Sequence, residues 1–434
     1  MIDLRELFRK IRENGFSEVA LNSRLSRVNQ VRFSNNSKDI TNIWVENQVE
    51  VFAATEHKYV STVVKDVKSA DAVIEFMKGM IKRIPESSVF KGLNPIPQNY
   101  PGDSAGNIPD TDEHEMVEEM ISAAVERGAE RTAGLLYRKV EETEVLTNYN
   151  DCSFETGGYE AVIRSFRGEE TGQEGIHFGP GSRISASAFR QIGKSSADSI
   201  EFDLPAREIE PAKYKVILSP YVIGNILSYA SGFFSYYYVE TGISCFAGKV
   251  GEKVASNAVN LEDNPLDSKG VGYRICDDEG TATRVNRIIE NGVLKTYVHS
   301  YSTAQRSGSE TTGNAGIIYP VPFQLELLPG SDRYERMVSE LDHGILINNA
   351  WYTRFQDYRN GVFSTVPRDG IFIVENGEIV ARGKGIRISD SVPNILGSIR
   401  GVSKEAKYVK WWEEVFPSLM PYVQADDIYI SKAF

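Results

Sequence analysis

Lys213-Tyr-Lys-Val-Ile-Leu218, running directly into Ser219-Pro-Tyr-Val-Ile-Gly-Asn-Ile-Leu-Ser-Tyr-Ala-Ser-Gly-Phe-Phe-Ser-Tyr-Tyr-Tyr-Val239, is the stretch on which the fold turns. Between Val216 and Val239 there is no Lys, Arg, Asp, Glu or His. A membrane helix needs about 20 apolar residues, so the length alone would suggest one. Pro220 and Gly224 interrupt the segment early, and Asn225 with the Ser and Tyr hydroxyls would need partners in lipid. The segment instead predicts a buried strand followed by a helix in a soluble core. The aromatic run Tyr236, Tyr237 and Tyr238 either packs that core or borders a cavity in contact with a peptide.

Around this centre the chain has 434 residues, long for one core, which predicts two domains. Acidic Glu201 to Glu210 followed by Pro211 places the boundary near residue 205, giving an N-terminal α/β domain (1–205) and a mainly β domain (206–434). Hydrophobic residues at 41% and charged residues at 25% describe an ordinary soluble protein. A net charge of -12 argues against general nucleic-acid binding, which uses basic surface. The start, Met1-Ile-Asp-Leu-Arg-Glu-Leu7, is too charged for a secretory signal. Cys152, Cys245 and Cys276 are odd in number and widely spaced, so they read as reduced and buried, in a cytoplasmic protein.

Upstream, Leu4, Leu7, Phe8 and Ile11 share one face of a helix from Asp3 to Asn14, which Gly15 stops. Phe16 to Asp66 predicts short antiparallel strands rich in β-branched and aromatic residues. A second helix is expected over Ser69–Ile84 and a third over Asp112–Arg127. Asn94–Gly102, rich in Pro and Gly, reads as a loop. Strands are expected at Thr132–Arg138, Glu144–Asn150 and Tyr159–Phe166, and a helix near Ser187–Gly193. Downstream, Asn291-Gly292 and Asn376-Gly377 sit between apolar runs, the signature of type I′ hairpins over Arg284–Val298 and Gly370–Ile379. Short helices are expected at Ser331–Leu341 and, with Trp411-Trp412, at Lys404–Val415. The fold class is α+β: a sheet-and-helix domain followed by a mostly antiparallel β domain.

Five blocks follow the central stretch in order: Gly248-Lys-Val-Gly-Glu-Lys-Val-Ala-Ser256, Asp277-Asp-Glu-Gly280, Ile289-Glu-Asn-Gly-Val-Leu-Lys-Thr-Tyr297, Ser300-Tyr-Ser-Thr-Ala304 and Thr312-Gly-Asn-Ala-Gly316. With Ile371–Ile379 and Pro421–Tyr429, they resemble the TldD/PmbA family over the C-terminal half. The resemblance implies a zinc metalloprotease of two related subunits. The TldD-type subunit carries His-Glu-x-x-x-His on a helix just before the Gly-x-Val-Gly-Glu block, and a late Cys. The PmbA-type subunit, also called TldE, lacks them.

Zinc hydrolysis needs about three protein ligands and an open position for water. The five histidines, His57, His114, His177, His299 and His343, are scattered, and the interval Tyr221–Gly232 holds no His, Glu or Asp. His114-Glu115 is followed by Glu119 where a second His would stand, which suits the first turn of a helix. The last cysteine is Cys276. The chain therefore resembles the PmbA/TldE-type subunit, with no metal or catalytic residue of its own and zinc expected in a TldD-type partner.

The Asp277-Asp-Glu279 run reads as a turn rather than a Ca²⁺ or Mg²⁺ loop. Gly-x-Ser-x-Gly, P-loop and dinucleotide motifs are missing. Candidate peptide- or partner-contacting residues are Tyr236, Tyr237, Tyr238, Thr312, Gly313, Asn314, Tyr352 and Arg354. The expected function is a non-catalytic subunit of a complex that degrades short or unfolded peptides. A stand-alone peptidase and a non-enzymatic peptide-binding homodimer are the alternatives.

Overall fold

The computed structural model describes residues 3–55, 57–65, 70–101, 108–200, 203–317 and 319–433. Ser69, Gly102 and Glu201, each at an end of an expected element, lie outside them.

The first half begins with helix α1 (Leu4–Glu13), capped by the Asp3 carboxylate on the N–H groups of Arg5 and Glu6. Its Leu4, Leu7 and Ile11 stripe is buried, as the spacing predicts. Then come β1 (Glu18–Ser34), β2 (Ser37–Thr55), β3 (Lys58–Lys65), α2 (Ala70–Ile81), α3 (Glu113–Glu126), β4 (Arg131–Thr147), β5 (Asp151–Arg167), β6 (Glu170–Phe178) and α4 (Ala186–Asp198). The strands form one antiparallel sheet in the order β3-β2-β1-β4-β5-β6. Helices α1 and α2 pack Leu7, Ile11, Val73 and Met77 into one cluster. Helices α3 and α4 pack Met116, Met120, Phe189 and Ile192 into another. They cross closely: a side chain at Gly193 would strike the backbone of Met120.

The expected short strands are long ones. Thr132–Arg138 falls at one end of β4 and the first part of Glu144–Asn150 at the other, the strand ending at Thr147 and Asn148–Asn150 turning into β5. The charged middle of β4, Lys139 to Thr143, is paired with β1 on one side and β5 on the other. Backbone pairing carries the strand through a segment whose side chains have lost the alternation. On the far side, β3 covers β2 only from Gln48 to Thr55, and among the described residues no strand covers Ser37 to Asn47 there.

The second half contains β7 (Ala206–Glu208), β8 (Ala212–Leu218), α5 (Pro220–Ala230), α6 (Tyr236–Glu240), β9 (Leu261–Asp263), β10 (Asn286–Glu290), β11 (Val293–Leu294), α7 (Tyr301–Ser307), β12 (Leu325–Leu327), α8 (Tyr334–Ser339), β13 (His343–Asp357), β14 (Val362–Glu375), β15 (Glu378–Lys384), β16 (Ile386–Ser391), α9 (Val392–Ser398), β17 (Ile399–Val409) and β18 (Ser418–Lys432). Its sheet runs β11-β10-β9-β12-β18-β8-β13-β14-β15-β7, with β16 bridging β14 and β18 and β17 beside β18. Most pairs are antiparallel; β8 with β13, β12 with β18 and β7 with β15 are parallel. Both Asn-Gly turns form as expected, with φ of 48° and 79° at Asn291-Gly292 and 52° and 79° at Asn376-Gly377. Among the described residues no helix is long and apolar enough to cross a membrane.

The helix expected over Lys404–Val415 is corrected. Ala406 to Val409 pair with β18 as the end of β17, and the chain then turns, burying Trp411 and exposing Trp412. Lys404-Glu405-Ala-Lys407 are good helix formers in isolation, and pairing with a long neighbouring strand overrides that preference.

Charged contacts join the halves. Arg164 on β5 meets Asp369 on β14 at 2.6 Å, and Lys407 on β17 meets Glu174 on β6 at 2.8 Å. Arg24 on β1 reaches Asp278 at 3.0 Å. The three cysteines are free and buried.

Candidate functional site

Strand β8 lies between β18 and β13 and delivers the chain to α5. The Ser219 hydroxyl accepts the N–H groups of Tyr221 and Val222, and Pro220 occupies the first turn, where it needs no N–H partner. Every residue of α5 except Tyr229 is buried. Its side-chain oxygens are matched locally. Asn225 Oδ1 accepts the Thr353 hydroxyl, and Ser228 Oγ accepts the Phe416 N–H at 2.8 Å. Tyr221 donates to Glu174 at 2.7 Å.

This is the helix on which the resemblance would place zinc ligands, and the residues present do not fit that metal. The helix offers an amide and hydroxyls. Glu414 approaches it, close enough that a Cβ at Gly224 would lie 2.7 Å from Oε1. Burial, opposed by Lys410 and reinforced by Glu160, pushes its pKa far up and favours the neutral acid. Among the described residues, Asn225 Nδ2 and both Glu414 oxygens have no hydrogen-bond partner. One neutral carboxyl beside an amide is not a zinc donor set, and among the described residues no three His, Cys, Asp or Glu side chains converge as one.

The outer side of α5 carries a different arrangement. Strand β13 breaks register with β14 between Trp351 and Arg354, and at the break Tyr352 holds φ of 60°. A tyrosine in the left-handed region costs about 1–2 kcal/mol and persists only where its surroundings hold it. Here the holder is Glu413, whose carboxylate is 1% exposed and accepts the Tyr352 N–H at 2.6 Å. The same oxygen takes the Tyr229 hydroxyl at 3.4 Å and the Arg354 guanidinium at 3.5 Å. Trp351, Trp411 and Trp412 form a triangle of edge-on rings with centroids 5.2 to 5.7 Å apart. The result is an exposed aromatic and cationic surface of Tyr352, Arg354 and Trp412, with Tyr352 and Arg354 tied to a buried carboxylate.

The remaining sequence candidates lie elsewhere. Tyr236, on α6, packs its ring on His299 at 4.7 Å. Tyr237 stacks on Tyr319 at 5.2 Å and lines a cavity between the halves; Tyr238 packs against Phe233 and Tyr319. Thr312, Gly313 and Asn314 belong to an internal network. The Thr312 hydroxyl accepts the His299 N–H at 2.7 Å, and the Asn314 amide donates to Asp263 at 2.6 Å. Gly313, at φ of 71°, makes the turn between them. Burial holds the His299 imidazole neutral, with its pKa lowered to about 4. In the acidic turn, Asp277 accepts the N–H groups of Glu279, Thr281 and Ala315 at 2.8–3.0 Å, so this carboxylate folds the turn.

Sequence reading picked out Tyr352 and Arg354 but missed Glu413, which it placed on a polar helix. It also missed the cavity, whose far wall comes from Phe52, Tyr59 and Phe90 of the first half. Only long-range contacts bring those residues to Tyr237, and no local pattern marks them.

Residues 211–432 match the PmbA/TldA metallopeptidase C-terminal domain. A metalloprotease of Methanocaldococcus jannaschii is 31% identical over 208 residues, 46% of this chain and 46% of that relative. The chain thus spans less than half the length of that relative. Among solved structures, a proposed modulator of a DNA gyrase from Thermotoga maritima aligns with a TM-score of 0.85 at 21% identity, over 99% of both chains. TldE from Thermococcus kodakarensis aligns with a TM-score of 0.82 at 20% identity, again over 99% of each. At those identities the likeness is one of fold alone.

Proposed function

We propose a role that starts from one premise: this chain belongs to the PmbA/TldD metallopeptidase family. Within it, the chain acts as the PmbA/TldE-type subunit, which does not cleave by itself and works beside a TldD-type subunit that holds zinc. The substrates of the pair are short or unfolded peptides, cut by zinc-activated water on the partner. The observation that carries this reading is the composition of α5. Where a hydrolytic zinc centre needs imidazole, thiolate or carboxylate ligands, the helix carries Asn225, Ser228 and Tyr229. The anchored aromatic surface around Tyr352 and Arg354 supports a contact role, since rigid aromatic and Arg side chains dominate binding energy at interfaces.

The test is to purify the chain alone and together with a TldD-type subunit, then assay cleavage of unfolded peptides and the zinc content of each preparation. The expected result is activity and zinc in the pair and neither in the lone chain. Full zinc-dependent cleavage by the lone chain would refute the assignment. Chelator-resistant activity of the lone chain would point to a stand-alone hydrolase, and a stable homodimer that binds peptide and recruits no partner would point to a binding protein.

A further inference from the structure

Between the two halves lies a cavity of about 550 Å³. Its far wall is aromatic. Phe52, Tyr59 and Phe90 pack ring against ring at centroid distances of 5.3 to 5.7 Å. Tyr237, stacked on Tyr319, forms the near wall.

The floor is the acidic turn. Two of the carboxylates lining the cavity are already neutralised: Asp278 by Arg24 at 3.0 Å and Arg274 at 2.8 Å, and Glu240 by Arg306. Glu279 is different. One of its oxygens accepts the Tyr301 N–H at 3.0 Å, and among the described residues no cation pairs with it. An uncompensated carboxylate in a chamber of aromatic faces complements an ammonium group on an apolar body, since the carboxylate and the ring faces both attract the positive charge. A neutral apolar ligand would leave Glu279 unmatched.

We propose that this cavity binds a primary amine carried on an aromatic or aliphatic body, with its ammonium on Glu279 and its apolar part against Phe52, Tyr59 and Phe90. Free amines and peptide amino termini share this chemistry. The proposal stands apart from the subunit assignment and does not depend on it.

Burial, with the charges of Asp277, Asp278 and Glu18, pushes the Glu279 pKa well up and favours the neutral acid in the empty cavity. Among the described residues, Arg306 and Glu240 are the other charged groups facing the space. An arriving ammonium favours the ionised form, so binding releases up to about one proton.

The experiment is calorimetric titration of the full chain with 2-phenylethylamine and with its N-acetyl derivative, in buffers of different ionisation enthalpy. The amine is expected to bind at least about tenfold more tightly than the acetylated compound, with proton release. E279Q keeps the shape and the Tyr301 contact, and should lose both the preference and the proton release. F90A should weaken both compounds alike. The comparison of the two compounds on the unmodified chain stands even if a variant fails to fold. A Phe-Ala-Ala peptide, with its amino terminus free or acetylated, separates the sources. Binding with the same Glu279 dependence assigns a peptide end, and exclusion assigns a free amine. No binding of the amine, equal affinity for the acetylated compound, or a preference that survives E279Q overturns the proposal.

Discussion

Replacing Asp369 with alanine is expected to destabilise the protein by about 4 kcal/mol, a figure built from two parts. The Asp369 carboxylate is fully buried and accepts Arg164 at 2.6 and 3.0 Å and the Thr171 hydroxyl at 2.7 Å. Truncating one partner of a buried pair costs about 3–5 kcal/mol. The Arg164 side chain keeps 26% of its exposure, so the lower end applies, about 3 kcal/mol. The second part is backbone: Asp369 has φ of 53°, which alanine adopts at about 1 kcal/mol more than Asp or Asn. D369N separates the two. It tolerates the same φ and leaves a neutral acceptor, so only charge assistance is lost, about 2 kcal/mol over the two Arg164 bonds. Equilibrium urea unfolding followed by tryptophan emission measures this, because Trp351 lies under the Arg164 guanidinium at 5.0 Å. A loss below about 1 kcal/mol for D369A, or an equal loss for D369N, would refute the assignment of this pair as a clamp between the halves.

Acidification gives a second test. The His299 imidazole has a pKa near 4 when folded against 6.5 when free, so between those pH values the unfolded chain binds a proton that the folded chain does not. Stability from this residue is therefore full above pH 6.5 and falls on acidification by up to about 3 kcal/mol. Buried Asp263 has the opposite sign: its pKa is raised to about 6, so its contribution falls as pH rises from 3.8 towards 6. The difference between the native protein and H299Q isolates the histidine, and parallel stability curves from pH 7 to 4.5 would contradict it. E413A removes the acceptor of the Tyr352 N–H and should cost about 2 kcal/mol, with E413Q milder. Amide exchange at Tyr352 should accelerate in E413A, and unchanged protection would show that the bulge is held otherwise. G193V forces α3 from α4 and should cost about 2–3 kcal/mol in thermal unfolding.

Legibility followed the range of the forces. The stripe of α1 and the two Asn-Gly hairpins were readable because each is decided within a few residues. The run from Val216 to Val239 read correctly as strand then helix because Pro220 punctuates it. The strand at Ile399–Val409 did not read, since its hydrogen bonds go to a neighbour nine or more residues on. Tyr352 stood out as an aromatic beside Arg354, but its left-handed backbone and its tie to Glu413 depend on a register break in a ladder. The cavity was least visible, because its walls come from residues that only the docking of the two halves brings together.

The partly uncovered rim of β2 has a practical consequence. From Ser37 to Asn47 β2 pairs with β1 on its inner side and, among the described residues, with no strand on its outer side, and Ile43 and Val45 stand 72% and 60% exposed there. Such a margin is a template for a passing extended chain, and only Lys38, Asp39 and Glu46 guard it. Concentrated preparations of the isolated chain are expected to associate along this rim first. A lysine in place of Val45 should keep light scattering flat at concentrations where the native sequence clouds.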